Sequence, residues 1–162
     1  MSRYVKKTYP EDFRIYLRFA DFEDAEDLLK WRNDENTRNA SFNTKEINVE
    51  EHKKWFKESL RNPERNIFII CDMNCHKLGQ IRFDKIGDSA EIDITIDTDF
   101  RHQGIGSIAL KKASKCYMDN FHVDRLIGKV KTDNIASMKT FENAGFIVSN
   151  ELDEYVEFRY ER

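Results

Sequence analysis

The run Glu91-Ile92-Asp93-Ile94-Thr95-Ile96-Asp97-Thr98-Asp99-Phe100-Arg101-His102-Gln103-Gly104-Ile105-Gly106 decides how the rest of the chain is arranged. Its first six residues alternate strictly, with Ile92, Ile94 and Ile96 on one side and Glu91, Asp93 and Thr95 on the other, which predicts a half-buried strand. Gly104 and Gly106 then let the backbone come close to a neighbour or a ligand. Beyond them Ile105, Ile108, Ala109, Ala113, Cys116 and Tyr117 recur at helical spacing, so the run is a strand, a glycine turn and the start of a long helix. A helix N-terminus behind a bare glycine turn is an anion site, because its free N–H groups and its dipole point outward together. No Gly-Lys-Ser/Thr follows, which excludes a triphosphate P-loop, and the third glycine of a dinucleotide fingerprint is missing.

Outward from this run, residues 13–19 alternate with Phe13, Ile15, Leu17 and Phe19 on one side, a first strand. Asp21 is placed to cap a helix that turns Phe22, Ala25, Leu28 and Leu29 inward and ends near Trp31-Arg32-Asn33. Residues 33–48 are polar and unperiodic, a loop long enough to suggest a function. A second helix is expected over residues 49–60, with Val49, Phe56 and Leu60 on its core face and His52, Trp55 and Ser59 as a neighbouring stripe; Pro63 ends it. Residues 67–70 read as a buried central strand, residues 77–85 return beside it, and Gly87-Asp88 turns the chain into the opening run. After the long helix come a strand at 126–130, a helix from Asn134 stopped by Gly145, and an antiparallel pair at 146–148 and 155–160. No repeat or linker divides residues 1–162, so one domain is expected. The order β-α-α-β-β-β-α-β-α-β-β makes it an α/β protein, a mixed sheet with helices on both faces.

Composition narrows the function classes. An apolar content of 40% supplies a real core, and a net charge of −3 gives no footprint for nucleic acid or an acidic membrane surface. No apolar run approaches the roughly 20 residues that a bilayer span needs. Residues 1–7 lack a signal-peptide core, and three unpatterned cysteines suit reduced thiols, so a cytoplasmic protein is expected. Cys71, Cys75 and His76 lack C-x₂-C spacing and a fourth ligand, so no metal is expected.

The hexapeptide Arg101-His102-Gln103-Gly104-Ile105-Gly106 resembles the Arg/Gln-x-x-Gly-x-Gly/Ala acetyl-CoA loop of the GNAT superfamily of N-acyltransferases. Ala90-Glu91-Ile92 with Ile96-Asp97 is similar to the strand that precedes that loop in the family. The run Asn134-Ile135-Ala136-Ser137-Met138-Lys139-Thr140-Phe141-Glu142-Asn143-Ala144-Gly145-Phe146 looks like the family's Asn-x-x-Ala/Ser helix closing in Ala-Gly-Phe. The resemblance implies a GNAT fold with a splayed central sheet and acetyl-CoA as acyl-donor cosubstrate. It implies that Ile94, Thr95 and Ile96 pair through their backbone with the pantetheine arm. Arg101, His102, Gln103, Gly104, Ile105, Gly106 and Ser107 are then expected around the pyrophosphate, and Asn134 on CoA; read without the family, Asn134 is a plain helix cap.

Acyl transfer to an amine needs a neutral amine, a donor for the thioester oxygen and a destination for the proton. Glu91, at the glutamate of the family's Ala-Glu-Ile motif, is expected to take the proton through a water, a base being worth about 10²–10⁴ in rate. Asp93 on the same side is the rival. Either carboxylate can instead pair with a basic residue of an adjacent strand. A backbone N–H of the same strand is the implied oxyanion donor. One position departs from the family: the tyrosine that protonates the departing thiolate is replaced by Phe141, which cannot donate. Tyr117, Tyr155 or water are the substitutes, or CoA leaves as a thiolate, its pKa near the roughly 8.5 of a cysteine.

The constellation Trp31-Arg32-Asn33, Arg38, His52 and Trp55 resembles the branch of the family that acetylates nucleotide-linked amino sugars, as in the pseudaminic-acid pathway. It implies a small-molecule amine acceptor, with aromatics stacking on a base or sugar and arginines forking onto a diphosphate. Otherwise Trp31 and Trp55 are core aromatics, and Arg32 and Arg38 are solvated. Two other readings stand beside it: a protein N-terminal acetyltransferase of the ribosomal-protein type, and a CoA-binding module without turnover, which Phe141 favours. A homodimer is compatible with each.

Overall fold

The structure, a computed structural model, describes residues 14–162; Phe13 of the expected first strand and the leader reading of residues 1–7 lie outside the described residues. Seven strands form one mixed sheet in the order β1-β2-β3-β4-β5-β7-β6. They are β1 (Ile15–Phe19), β2 (Arg65–Asp72), β3 (Lys77–Ile86), β4 (Ser89–Ile96), β5 (Arg125–Lys131), β6 (Ile147–Glu151) and β7 (Tyr155–Glu161). The helices are α1 (Ala25–Asn33), α2 (Glu35–Ala40), α3 (Val49–Arg61), α4 (Ile105–Phe121) and α5 (Ile135–Asn143). Strands β1 to β4 run antiparallel in sequence, β4 and β5 are parallel, and β7 inserts between β5 and β6.

Two cores follow from the alternation along the strands. Ile81, Phe83, Ala90, Ile92, Leu126 and Val130 face α4 and α5, where Leu110, Ala113 and Tyr117 meet them. On the opposite face Ile67, Ile69 and Cys71 of β2 pack under α1 and α3, against Leu28, Trp31 and Phe56. That second face continues across the sheet as polar side chains. Ile67 pairs with Arg82 and Arg82 with Asp93; Asp84 pairs with Glu91 and Glu91 with Ile127. Residues opposite one another in a ladder share a face, so Arg82, Asp84, Glu91 and Asp93 form one polar surface beside the α1–α3 layer.

The expected order holds, with one added helix. Within the loop expected over residues 33–48 lies α2, whose N-cap Asp34 accepts from Thr37 N at 3.0 Å and from its Oγ1 at 3.2 Å. The expected cap Asp21 does cap, over the short 3-10 turn Phe22–Asp24 that leads into α1. Three assignments change. Phe22, expected to turn inward, is 50% exposed, because it starts the 3-10 turn ahead of α1 and meets the core only by stacking on Phe56 at 6.2 Å. In α3 the buried residues are His52, Phe56 and Ser59, whereas Val49 and Leu60 are exposed. The face turns this way because its polar members find partners: Ser59 Oγ accepts from Arg65 Nη1 at 3.0 Å, and His52 Nε2 lies 2.9 Å from Ala25 O. In α4 Cys116 is exposed, and Leu110, Ser114 and Met118 complete the buried stripe with Ile105, Ala109, Ala113 and Tyr117.

Candidate active site

The β4–β5 ladder is short. It runs from Ser89 opposite Arg125 to Ile92 opposite Gly128 and stops, while β4 continues to Ile96 paired with β3 alone. Residues 93–96 therefore present one open backbone edge toward the gap between the diverging strands. Gly128 marks the divergence because nothing larger fits: a Cβ there would lie 2.2 Å from a ring carbon of Phe141. Phe141 itself is 3% exposed, stacked on Phe158 at 5.4 Å and edge-on to Phe146 at 5.1 Å.

Beyond β4, Asp97 caps a 3-10 turn (Thr98–Phe100) and the chain enters α4 through Gly104, whose φ of 80° is a conformation that glycine adopts without strain. Among the described residues no side chain caps α4 at Gly104, so its first-turn N–H groups are left for a ligand or solvent. Gly106 brings that end of α4 against α5 and β4, since a Cβ would meet Thr140 at 3.2 Å and Ile96 at 3.6 Å. Open strand edge and uncapped helix end are thus adjacent, an extended arm's site leading from an anion's site. His102 is exposed, and Ile105 is buried as a core anchor. Gln103 is buried, with Nε2 3.4 Å from Asp99 O and its Oε1 without a partner among the described residues.

Arg101 turns inward from this turn. It donates from Nε to Ile96 O at 2.8 Å and from Nη2 to Thr37 Oγ1 at 2.7 Å, and its Nη1 lies 3.1 Å from Asp34 Oδ2. The guanidinium ties the end of β4 to α2 rather than pointing at an anion. Asn134 caps α5, its Oδ1 accepting from Ser137 N at 3.1 Å.

The two carboxylates of β4 stand in different company. Glu91 Oε1 is 2.8 Å from Lys129 Nζ, and this carboxylate holds the lysine pKa above its ordinary value. Asp93 is exposed, and its Oδ2 accepts from the amide of Gln80 at 2.9 Å. Beside Glu91 a shallow cleft of about 310 Å³ opens between Ile86, Ile127, Lys129 and Glu157. Lys129 also sits over the ring of Tyr155 at 5.8 Å, and Phe42 from the α2–α3 loop meets that ring edge-on at 5.7 Å.

The residues expected to hold the acceptor divide. Trp31 is a core residue, 3% exposed, donating from Nε1 to Asp97 Oδ2 at 2.7 Å. His52 is 2% exposed, and burial lowers its pKa against the pull of its hydrogen bond with Ala25 O, so it is a neutral structural histidine. Arg32 donates to Asn43 O at 2.8 Å and Ser41 Oγ at 3.3 Å, and Asn33 both donates to Ile47 O and accepts from Ile47 N. These two shape the α2–α3 loop from behind. Arg38 donates from Nε to Asn33 O at 3.1 Å. Trp55 alone of the six reaches the polar face of the sheet with its ring, where Arg65 and Arg82 lie 5.6 and 5.8 Å from its centroid. Of the substitute proton donors, Tyr117 is buried between Phe83 and Phe121, its pKa pushed up to about 12 by burial and its hydroxyl without a partner among the described residues. It serves the core. Gln80, Arg82 and Lys129 escape a reading of the sequence because strand register alone brings them beside Asp93 and Glu91; the polar alternation of Gln80, Arg82 and Asp84 was their only signal.

An open strand edge running into an uncapped glycine turn is the arrangement that the sequence resemblance implies, and a family comparison agrees. The model of the acetyltransferase (GNAT) domain matches residues 14–147. The chain belongs to the GNAT acetyltransferase domain family. It is an acetyl-CoA-dependent N-acetyltransferase by that membership, with acetyl-CoA as the acyl-donor cosubstrate. Solved GNAT structures share its fold. The spermidine N-acetyltransferase from Vibrio cholerae, in complex with CoA and spermine, superposes with a TM-score of 0.84 at 15% identity, covering 91% of this chain and 95% of that one. The aminoglycoside acetyltransferase AAC(6')-Ib, with coenzyme A and kanamycin, gives 0.79 at 13% identity over 92% and 95%. A domain from Methanocaldococcus jannaschii gives 0.79 at 24% identity over 93% and 100%. No curated protein sequence matches the chain. Among the described residues no helix is long and apolar enough to cross a membrane, and no group of three or more His, Cys, Asp and Glu is placed to hold a metal ion.

Proposed function

We propose that this GNAT acetyltransferase moves the acetyl group directly from acetyl-CoA to the primary amine of a nucleotide-linked amino sugar, with Asp93 as the proton acceptor. The observation that carries the reading is the end of the β4–β5 ladder at Ile92 and Gly128, one residue before Asp93. The open edge of residues 94–96 supports pairing with the pantetheine arm, and the N–H groups at the start of α4 support the pyrophosphate. A backbone N–H of that edge is then placed to stabilise the thioester oxygen as charge develops on it.

The incoming ammonium must lose a proton before its nitrogen can attack. Among the described residues Asp93 accepts a hydrogen bond only from the neutral Gln80 and Glu91 is engaged by Lys129, so Asp93 is the freer base and Glu91 the second carboxylate. The new C–N bond forms as the C–S bond breaks, the sulfur leaves with the electron pair, and the nitrogen, cationic once it has attacked, gives up its second proton to solvent water. Phe141 supplies no proton, and a thiolate of pKa near roughly 8.5 leaves without one. On the acceptor side Trp55 offers a stacking surface to the base or sugar, and the guanidinium of Arg38 in α2, among the described residues, donates only from its Nε.

Release of CoA with a UDP-linked amino sugar as acceptor tests the reading. Asp93→Asn is expected to lower kcat by about a hundredfold near neutral pH, recovering in part as rising pH deprotonates the amine, with a smaller loss in Glu91→Gln. Glu91→Gln inactive with Asp93→Asn near wild type reverses the roles. Activity on a peptide N-terminus alone replaces the amino-sugar reading by the protein acetyltransferase, and CoA binding without turnover on any amine replaces it by a CoA-binding module.

A further inference from the structure

We infer that the acceptor carries a negative charge close to its amine, and that Arg82 beneath Trp55 is the group that binds it. This rests on the reading above that the Asp93 face receives the acceptor, and it adds the chemical class that face selects.

The charges on the polar face are already matched in a way that disfavours a polycation. Asp84 is held by Arg65 at 2.6 Å and by Arg82 at 3.1 Å, and Glu91 is held by Lys129 at 2.8 Å. Among the carboxylates that β3 and β4 place on this face, a second ammonium must break one of these pairs; Glu157 of β7, at the far side of the cleft beside Glu91, accepts from Ser149 Oγ at 3.0 Å. Asp93, bonded to the neutral Gln80, is available for one ammonium.

The spare binding capacity is cationic instead. One carboxylate, Asp84, is shared by two guanidiniums, leaving a net positive charge at that point. Arg65 is fully engaged, with Nε and Nη2 on Asp84 and Nη1 on Ser59. Arg82 uses only Nε, on Asp84 Oδ2; among the described residues neither of its Nη groups donates to anything. Its side chain is 26% exposed, partly withdrawn from water while carrying free donors. Such a guanidinium fork matches a carboxylate or phosphate with two parallel N–H···O bonds. The indole of Trp55 holds it from one side, 37% exposed and with Arg82 Cζ 5.8 Å from its centroid.

Arg82 stands directly opposite Asp93 in the β3–β4 ladder. A fork for an anion and a carboxylate for an ammonium thus lie one cross-strand pair apart, with Cβ atoms about 4.5–5.5 Å apart. That spacing suits a molecule carrying amine and anion together, such as an amino sugar phosphate.

Two measurements test this. First, acetyl transfer is compared on glucosamine 1-phosphate, on glucosamine and on spermidine. The phosphorylated sugar is expected to exceed the free sugar in kcat/KM by about tenfold or more, with spermidine poorest. Arg82→Gln is expected to remove most of that preference, and Arg82→Lys, which keeps the charge without the fork, to restore part of it. Spermidine as the best acceptor, or a phosphate preference unchanged in a folded Arg82→Gln variant, overturns the inference. Second, with CoA saturating so that the glycine turn is filled, glucose 1-phosphate is titrated by calorimetry. Binding that weakens about tenfold in Arg82→Gln supports the site; no binding to the wild type overturns it even if some amine is turned over. Turnover dependent on Asp93 but blind to Arg82 sinks this inference and leaves the acetyl-transfer reading standing; anion binding at Arg82 without turnover on any amine does the reverse.

Discussion

Gly128→Ala is the smallest change that tests how the gap between β4 and β5 is built. The added Cβ would lie 2.2, 2.6 and 3.0 Å from three carbons of the Phe141 ring. Carbon atoms rest about 3.5–4.0 Å apart, so the ring must withdraw by more than about 1 Å. It has little room, being 3% exposed and held by Phe146 and Phe158. Overpacking of this kind costs about 1–3 kcal/mol. At about 2–4 °C per kcal/mol for a chain of this size, the melting temperature should fall by about 2–12 °C. The shift also reaches the site, because α5 carries Thr140 against Gly106 at the start of α4. Phe141→Leu opens a void on its own, but with Gly128→Ala the new methyl group partly fills it. The double variant should therefore be less destabilised than the sum of the singles, by about 1 kcal/mol. Thermal melts followed by circular dichroism on the four proteins give the cycle. Gly128→Ala melting with the wild type, or strict additivity in the double variant, refutes the close packing of the ring on the strand.

Two further outcomes can be measured on single variants. Gly104→Val places a β-branched residue at φ 80°, strained for any L side chain, in the turn that opens α4; CoA affinity should fall about tenfold or more with a native far-UV spectrum, and unchanged binding in a folded variant removes the glycine turn from the CoA site. His52, its pKa lowered by burial, takes up its proton less readily in the folded chain than in the unfolded one. Its contribution to stability is present above the unfolded value of about 6.5 and is lost as pH falls below it; His52→Gln should show a shallower loss of stability in that window, and identical slopes in denaturant titrations refute a buried neutral His52.

The sequence by itself determined the order of the elements apart from α2, the strand-turn-helix at residues 91–106 and the family to which it belongs. Those signals are local: a period of two along Glu91 to Ile96, a glycine pair, a period of 3.6 after it, and caps such as Asp21 and Asn134 whose partners lie within three residues. Where side-chain partners lie far along the chain, the local signal misleads. Trp31, Arg32 and His52 look like ligands for an acceptor, but each hydrogen bond that claims them spans 9 to 66 residues and closes inside the protein. Arg101 sits in the anion-binding motif and is spent on Thr37 and Asp34, 64 and 67 residues away. Only the tertiary structure decided which carboxylate of β4 is free. Glu91 and Asp93 are equivalent in the alternation of their own strand. Register alone sets Lys129 against one and Gln80 against the other, and pairing between strands is a property of the sheet that no single strand encodes.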